Sequence, residues 1–287
     1  MFVITQPMKK YFFILLFSIA FIADAQVFYR RSEFGAAVGG ANYFGDLNTN
    51  IGFKYFRYSG GVFYKYNFTH YIALRIGGNY AHVGYSDKFS NNIYQKQRNL
   101  DFKSNIFEFG VMADFNFFQY TIGDYDHRFT PYVTLGASMF YYDPYTTLDG
   151  KNYFLRPQGT EGQNIDDYKD RRYKNYAFSF PIGAGIKLWL SKGLTMSFEI
   201  VNRYTTTDYL DDVSTTYVGK ENFVDNTPSP YPSPASQLQD RSPEVSDTPI
   251  GIKGRQRGVS TTKDHFMLFQ LGLSFRLPTY RCPDNLR

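Results

Sequence analysis

One cysteine, four histidines and a set of charges spaced two apart are the groups with which this 287-residue chain could do chemistry. Cys282 cannot close a disulfide within the chain. In an exported protein an odd cysteine is either a free thiol or a link to another polypeptide. The histidines are His70, His82, His127 and His265. His82 has Ser86 four residues on, and a serine beside a base is the start of a hydrolytic arrangement. No G-x-S-x-G element and no third orienting group accompanies that pair, so an interfacial histidine is the plainer reading. No Cys, His and Asp cluster has metal-ligand spacing, and no glycine-rich phosphate loop occurs. No catalytic residue, cofactor or metal is expected, which argues against an enzyme.

The charges lead to the elements that must carry them. Glu33, Lys65, Arg75, Glu108, Asp114, Lys187, Glu199, Arg203 and Arg276 all fall in segments where apolar residues alternate with small or polar ones. The clearest segment is 105–118, where Phe107, Phe109, Val111, Ala113, Phe115 and Phe117 alternate with Glu108, Gly110, Met112, Asp114 and Asn116. A period of two is a strand, not a helix. The same pattern recurs at 33–43, 58–67, 71–83, 129–141, 176–190, 194–205 and 265–277. These eight segments are joined alternately by short turns (68–70, 119–128, 191–193) and longer loops (44–57, 84–104, 142–175, 206–264).

Strand number and loop asymmetry together predict an all-β fold. It is an eight-stranded antiparallel transmembrane β-barrel with short periplasmic turns, long extracellular loops and both termini in the periplasm. A soluble eight-stranded barrel would turn its faces the other way, and periodicity does not distinguish inside from outside. The glycine-rich polar register and the gathering of Tyr and Phe at strand ends favour the membrane form. The interior of an eight-stranded barrel is just wide enough for side chains to fill. Five cations would face four anions there, as a plug that rigidifies the barrel or, alternatively, as a proton or ion path.

Composition agrees. The chain is 43% hydrophobic and 20% aromatic, with 26 Tyr and 29 Phe, yet its mean hydropathy is −0.39. Beyond the first 25 residues no apolar run approaches the ~20 residues that a membrane-crossing helix needs. The first 25 read as a signal peptide: Lys9-Lys10, an apolar stretch over 11–22, then Ala23-Asp24-Ala25 before Gln26. The expected organisation is a signal peptide (1–25), a barrel (26–277) with a long Pro/Ser-rich loop (206–264), and a periplasmic tail (278–287). The net charge of +5 has no Lys/Arg stripe behind it, so nucleic acid is not an expected partner.

Two features remain for a binding role. One is Gly39-Gly40-Ala41-Asn42-Tyr43-Phe44-Gly45-Asp46-Leu47-Asn48, where Gly45-Asp46 could also be only a turn. The other is the tail, with Tyr280, Arg281, Cys282 and Pro283. A thiol carried into an oxidising compartment is a liability unless paired or shielded, and this suggests a disulfide from Cys282 to a periplasmic partner.

Glu33, Gly35, Gly39, Gly40, Asn42, Tyr43, Gly45, Asp46 and Leu47, together with Arg281-Cys282-Pro283 and the eight-strand layout, resemble the PorG-like outer-membrane barrels of the type IX secretion system. The long loop at 207–264 departs from that pattern. The resemblance implies a non-enzymatic barrel that ties a periplasmic ring, made of a PorK-like lipoprotein and a PorN-like protein, to the outer membrane. The turns and the tail, including Tyr280, Arg281 and Pro283, would be the docking surface, and outer-membrane lipids would surround the wall. The alternatives are a stand-alone OmpA- or OmpW-like barrel acting as adhesin, tether or narrow channel, and a lipid-modifying barrel enzyme.

Overall fold

In the computed structural model, which describes residues 32–49, 52–191, 193–223 and 233–276, the alternating segments become strands. The signal segment, most of the Pro/Ser run and the C-terminal tail lie outside the described residues. The strands are β1 (Ser32–Phe44), β2 (Arg57–Asn67), β3 (Ile72–Ser86), β4 (Asp101–Asn116), β5 (Phe129–Tyr141), β6 (Tyr145–Leu148), β7 (Lys151–Phe154), β8 (Tyr176–Ser191), β9 (Leu194–Thr205) and β10 (His265–Arg276). Eight of them form an antiparallel ring in the order β1-β2-β3-β4-β5-β8-β9-β10, and β1 pairs with β10 to close it. Closure leaves no strand edge unpaired, which is the condition for a sheet to stand in hydrocarbon.

The register decides between the membrane and the soluble form. Along β4 exposed and buried residues alternate without a break from Asn105 to Met112. Phe107, Phe109, Val111 and Phe115 point outward, while Glu108, Met112 and Asp114 are buried. On β5, Leu135 and Met139 face out, with Thr134 and Ser138 inside. The apolar register forms the outer wall and the charged register fills the interior, so this is a transmembrane β-barrel.

Two strands outrun the expected boundaries, 71–83 and 105–118. β3 continues to Ser86 and β4 begins at Asp101, and the two stay paired from Val83↔Ser104 to Ser86↔Asp101. The 16 residues of β4 exceed the ~9–11 needed to cross a bilayer. Beyond the apolar belt the outward residues turn polar, so the period-two signal fades while pairing continues. The loop 142–175 also carries a hairpin not foreseen, β6–β7, joined to β4 at Lys103↔Tyr145.

The hydrophobic core lies at the long-loop end rather than at the middle of the barrel. Strand-end residues such as Tyr43, Val83, Phe102, Ile106, Phe140 and Phe266 pack there with Leu148, Leu155, Leu210, Val213 and Leu238 from the loops. The loops 142–175 and 206–264 are therefore packed as a folded cap.

Placing a cation on the lipid face tests the inside-out arrangement. Leu135 is 60% exposed at the centre of β5. Leu135→Arg should destabilise the barrel in vesicles by about 2–4 kcal/mol, read from denaturant unfolding, whereas an outer face bathed in water would tolerate it.

Candidate functional site

Strand alternation carries eight of the nine interior charges to buried positions: Glu33, Lys65, Arg75, Glu108, Asp114, Lys187, Glu199 and Arg203. Asp114 is the hub of one group. Its carboxylate lies 3.5 Å from Lys65 Nζ, 3.5 Å from Arg75 Nη2 and 3.3 Å from Lys187 Nζ. Arg75 also donates to Glu199 at 2.7 Å, and Glu199 accepts a second bond from the Tyr132 hydroxyl at 2.7 Å. The Lys187 ammonium stands 4.2 Å from the centre of the Tyr132 ring. Glu108 centres a second group, taking bonds from Arg203 at 3.3 Å, Ser138 Oγ at 2.8 Å and Asn79 Nδ2 at 3.0 Å. Glu33 accepts from Asn67 at 2.7 Å and from Ser274 at 2.6 Å.

Arg276 departs from the expected position. It stands half-buried at the short-turn mouth, where its guanidinium donates to the Ile122 carbonyl at 2.9 and 2.8 Å. The fully buried charges of the lumen are thus four cations and four anions, not five against four. The ninth closes the mouth by holding turn 119–128. The same turn inserts Tyr120, which is buried and bonded to Thr195 Oγ1 at 2.8 Å. Tyr120 was not expected in the lumen, because its turn reads as a plain connection.

The segment at 39–47 was expected to be either a binding element or a turn. A turn is present, with Asn48 N donating to Gly45 O at 3.0 Å. The segment is nonetheless not an open surface, because the cap closes over it and Asn42, Tyr43, Asp46 and Leu47 are all buried. Gly39 lies so close to β10 that a Cβ there would run into the Phe269 carbonyl, and one on Gly45 would meet Asp264. The Phe56 ring covers Gly40 on the outer wall. Asn42 donates to Gly52 O at 3.0 Å. The Tyr43 hydroxyl reaches Asp211 at 2.6 Å and Asp264 at 3.1 Å. Asp46 accepts from Val259 N through its carboxylate and from Arg98 and Gln95 through its carbonyl. The motif is the seat on which three loops meet.

Two buried ion pairs brace those loops, Arg98–Asp87 at 2.8 Å and Arg257–Glu161 at 3.0 Å. Around Asp46 the loop 206–264 buries four more carboxylates, Asp208, Asp211, Asp212 and Asp264. Each is held by hydroxyl or backbone N–H donors: Asp208 by Ser214, Asp211 by Val213 N, Asp212 by Thr160 and Tyr173, Asp264 by Leu210 N. Burial pushes Asp46, Asp208 and Asp212 up to about 6. Asp211 and Asp264 are also raised well above the usual carboxylate range, through burial and then through neighbouring carboxylates. The sequence signal for this cluster was Asp208-Tyr-Leu-Asp-Asp212, in which Leu210 and the nearby Val213 are too apolar for an open loop. Among the described residues no three His, Cys, Asp or Glu side chains converge as metal ligands would.

His82 and Ser86 have separate partners: His82 Nδ1 lies 2.8 Å from Asn105 Oδ1, and Ser86 Oγ accepts from Lys88 N. Cys282, Tyr280, Arg281 and Pro283 lie outside the described residues.

Two outcomes follow from these clusters. Asp114→Ala would leave three cations facing one another, and should cost about 3–5 kcal/mol in unfolding measurements, as removal of one partner of a buried pair does. In the cap, a carboxyl whose folded value lies above its free value of ~3.9 favours the folded state while protonated. That contribution is complete below pH ~3.9 and is lost as pH rises through about 6. Protease cleavage within 206–264 should therefore be slower at pH 5 than at pH 8, and Asp211→Asn should reduce the difference.

Several solved structures are similar to the chain. The N-terminal barrel domain of Pseudomonas aeruginosa OprF is 11% identical, with 86% of this chain and 98% of that one covered and a TM-score of 0.35. The attachment invasion locus protein Ail of Yersinia pestis is 10% identical, with 86% and 99% covered and a TM-score of 0.38. Neisserial surface protein A is 9% identical, with 86% and 97% covered and a TM-score of 0.39. No curated protein matches the sequence. The profile of a family described as a domain of unknown function, DUF6089, matches residues 8–223, more than half of the chain, and the chain belongs to that family.

Proposed function

We propose that the chain is a non-enzymatic outer-membrane component of the type IX protein secretion system. In this reading it anchors a periplasmic ring, formed by a PorK-like lipoprotein and a PorN-like protein, to the outer membrane. The observation that carries the reading is the state of the lumen. Paired charges fill it, turn 119–128 lies across one mouth through Tyr120 and Arg276, and the loops cap the other. A lumen so occupied favours attachment over passage as the barrel's service. The resemblance at 33–47 supplies the machine to which it would attach.

In this reading the short-turn end and both termini face the periplasm, and the long loops face outward. The tail at 278–287 is a docking element for the ring. Cys282 ties it covalently, and Tyr280, Arg281 and Pro283 contribute to docking. A lipid bilayer surrounds the wall, and the buried motif at 39–47 serves the cap, not the ring.

Pulling the barrel down from mild-detergent membranes tests this. The lipoprotein and its ring partner should co-purify, with a high-mass band on non-reducing gels that vanishes in Cys282→Ser. Deletion of the gene should abolish secretion of cargo proteins. A barrel that purifies alone from a strain with normal secretion would overturn the proposal and favour a stand-alone adhesin, tether or narrow channel. A change in lipid A mass on deletion would instead point to a lipid-modifying enzyme.

A further inference from the structure

The lipid-facing wall carries a depression of about 760 Å³ across β10, β1, β2, β3 and β4, a size within the ~300–1,000 Å³ range of small-molecule sites. Its low points are Ala36 and Gly78, where neighbouring outward positions carry Phe34, Ile76 and Phe109. Gly35, Phe63 and Gly77, which are in register with one another, also line it. Tyr64 is the one lining residue with a polar side-chain atom, and its hydroxyl is already engaged with Ser32 Oγ at 2.8 Å. The lining backbone belongs to paired strands. Nothing in the depression is left to bond a headgroup or a peptide.

The depression is continuous with the outer wall of the barrel, whose neighbour is hydrocarbon. It also lies toward the short-turn end: Phe34 is the third residue of β1 and Phe275 the last but one of β10. We propose that it seats one acyl chain of a phospholipid from the leaflet on the short-turn side. The wall thereby holds a lipid in a fixed place instead of sliding past all of them equally. The inference rests on the transmembrane fold and is independent of the secretion role.

Two substitutions fill the site by different routes. Ala36→Leu adds side chain at an exposed position that already has a Cβ. At Gly78 an added Cβ comes no closer than 3.4 Å to its nearest neighbour, the Glu108 carbonyl, so the backbone accepts a side chain there and Gly78→Leu directs one into the site. Ala184→Leu, on the outer face of β8, is the control. Native mass spectrometry of the full barrel titrated with palmitoyl-oleoyl phosphatidylethanolamine reads the result, with heat-modifiable gel migration confirming each fold. The wild type and Ala184→Leu should retain one lipid about fivefold more than either filled variant, a difference close to 1 kcal/mol. Phosphatidylcholine should bind equally, because the chain and not the headgroup is recognised. Equal retention by all variants, dependence on the headgroup, or a dimer mass that Ala36→Leu abolishes would overturn the proposal.

Discussion

Hydrocarbon tolerates neither an unpaired backbone amide nor an unpaired charge, and the rest of this molecule follows from that intolerance. Ring closure between β1 and β10 satisfies the backbone. The period of two then sends the charges within the apolar belt inward, where eight buried ones must neutralise one another. Asp114 shows how tight the arrangement is: one carboxylate serves three cations, and Arg75 is shared with Glu199 so that neither anion lacks a partner. A lumen built in this way is cross-braced, because each ion pair ties two or more strands of the ring together.

The same constraint explains why the apolar core has moved to one end. A soluble protein buries its large residues at the centre, but here the outer wall uses Phe, Leu and Ile against lipid, and the centre is occupied by ions. The side chains that pack in the ordinary way do so where the strands rise past the apolar belt and the loops return to meet them. Arg98, Arg257 and the buried carboxylates are then the polar framework of a small domain fused to a membrane barrel.

The barrel was legible because alternation is dictated by the pleat and needs no knowledge of partners. The segments 105–118 and 129–141 could be placed, face by face, from residue types alone, and the interior charges followed from the same register. The cap was not legible. Leu210 sits between aspartates and Val213 follows them, with neither helical nor strand periodicity, and their burial comes from segments far away in sequence. Arg276 was assigned to the correct face but not to its depth, since register fixes direction and says nothing of what a turn such as 119–128 will do at the mouth. The glycines at 39, 40 and 45 were visible as a motif, but their reason, close approach by Phe269, Phe56 and Asp264, exists only once the chain has folded.

The Tyr43 hydroxyl joins residues 168 and 221 positions apart, and Asp264 is placed for that contact because its neighbour His265 pairs with Phe44. Contacts of such sequence separation are the slow ones in folding. The seat of the cap therefore cannot be completed until the last strand has found the first. The outer loops cannot settle on an open, half-inserted sheet, and an ordered cap is in effect a record that the ring has closed.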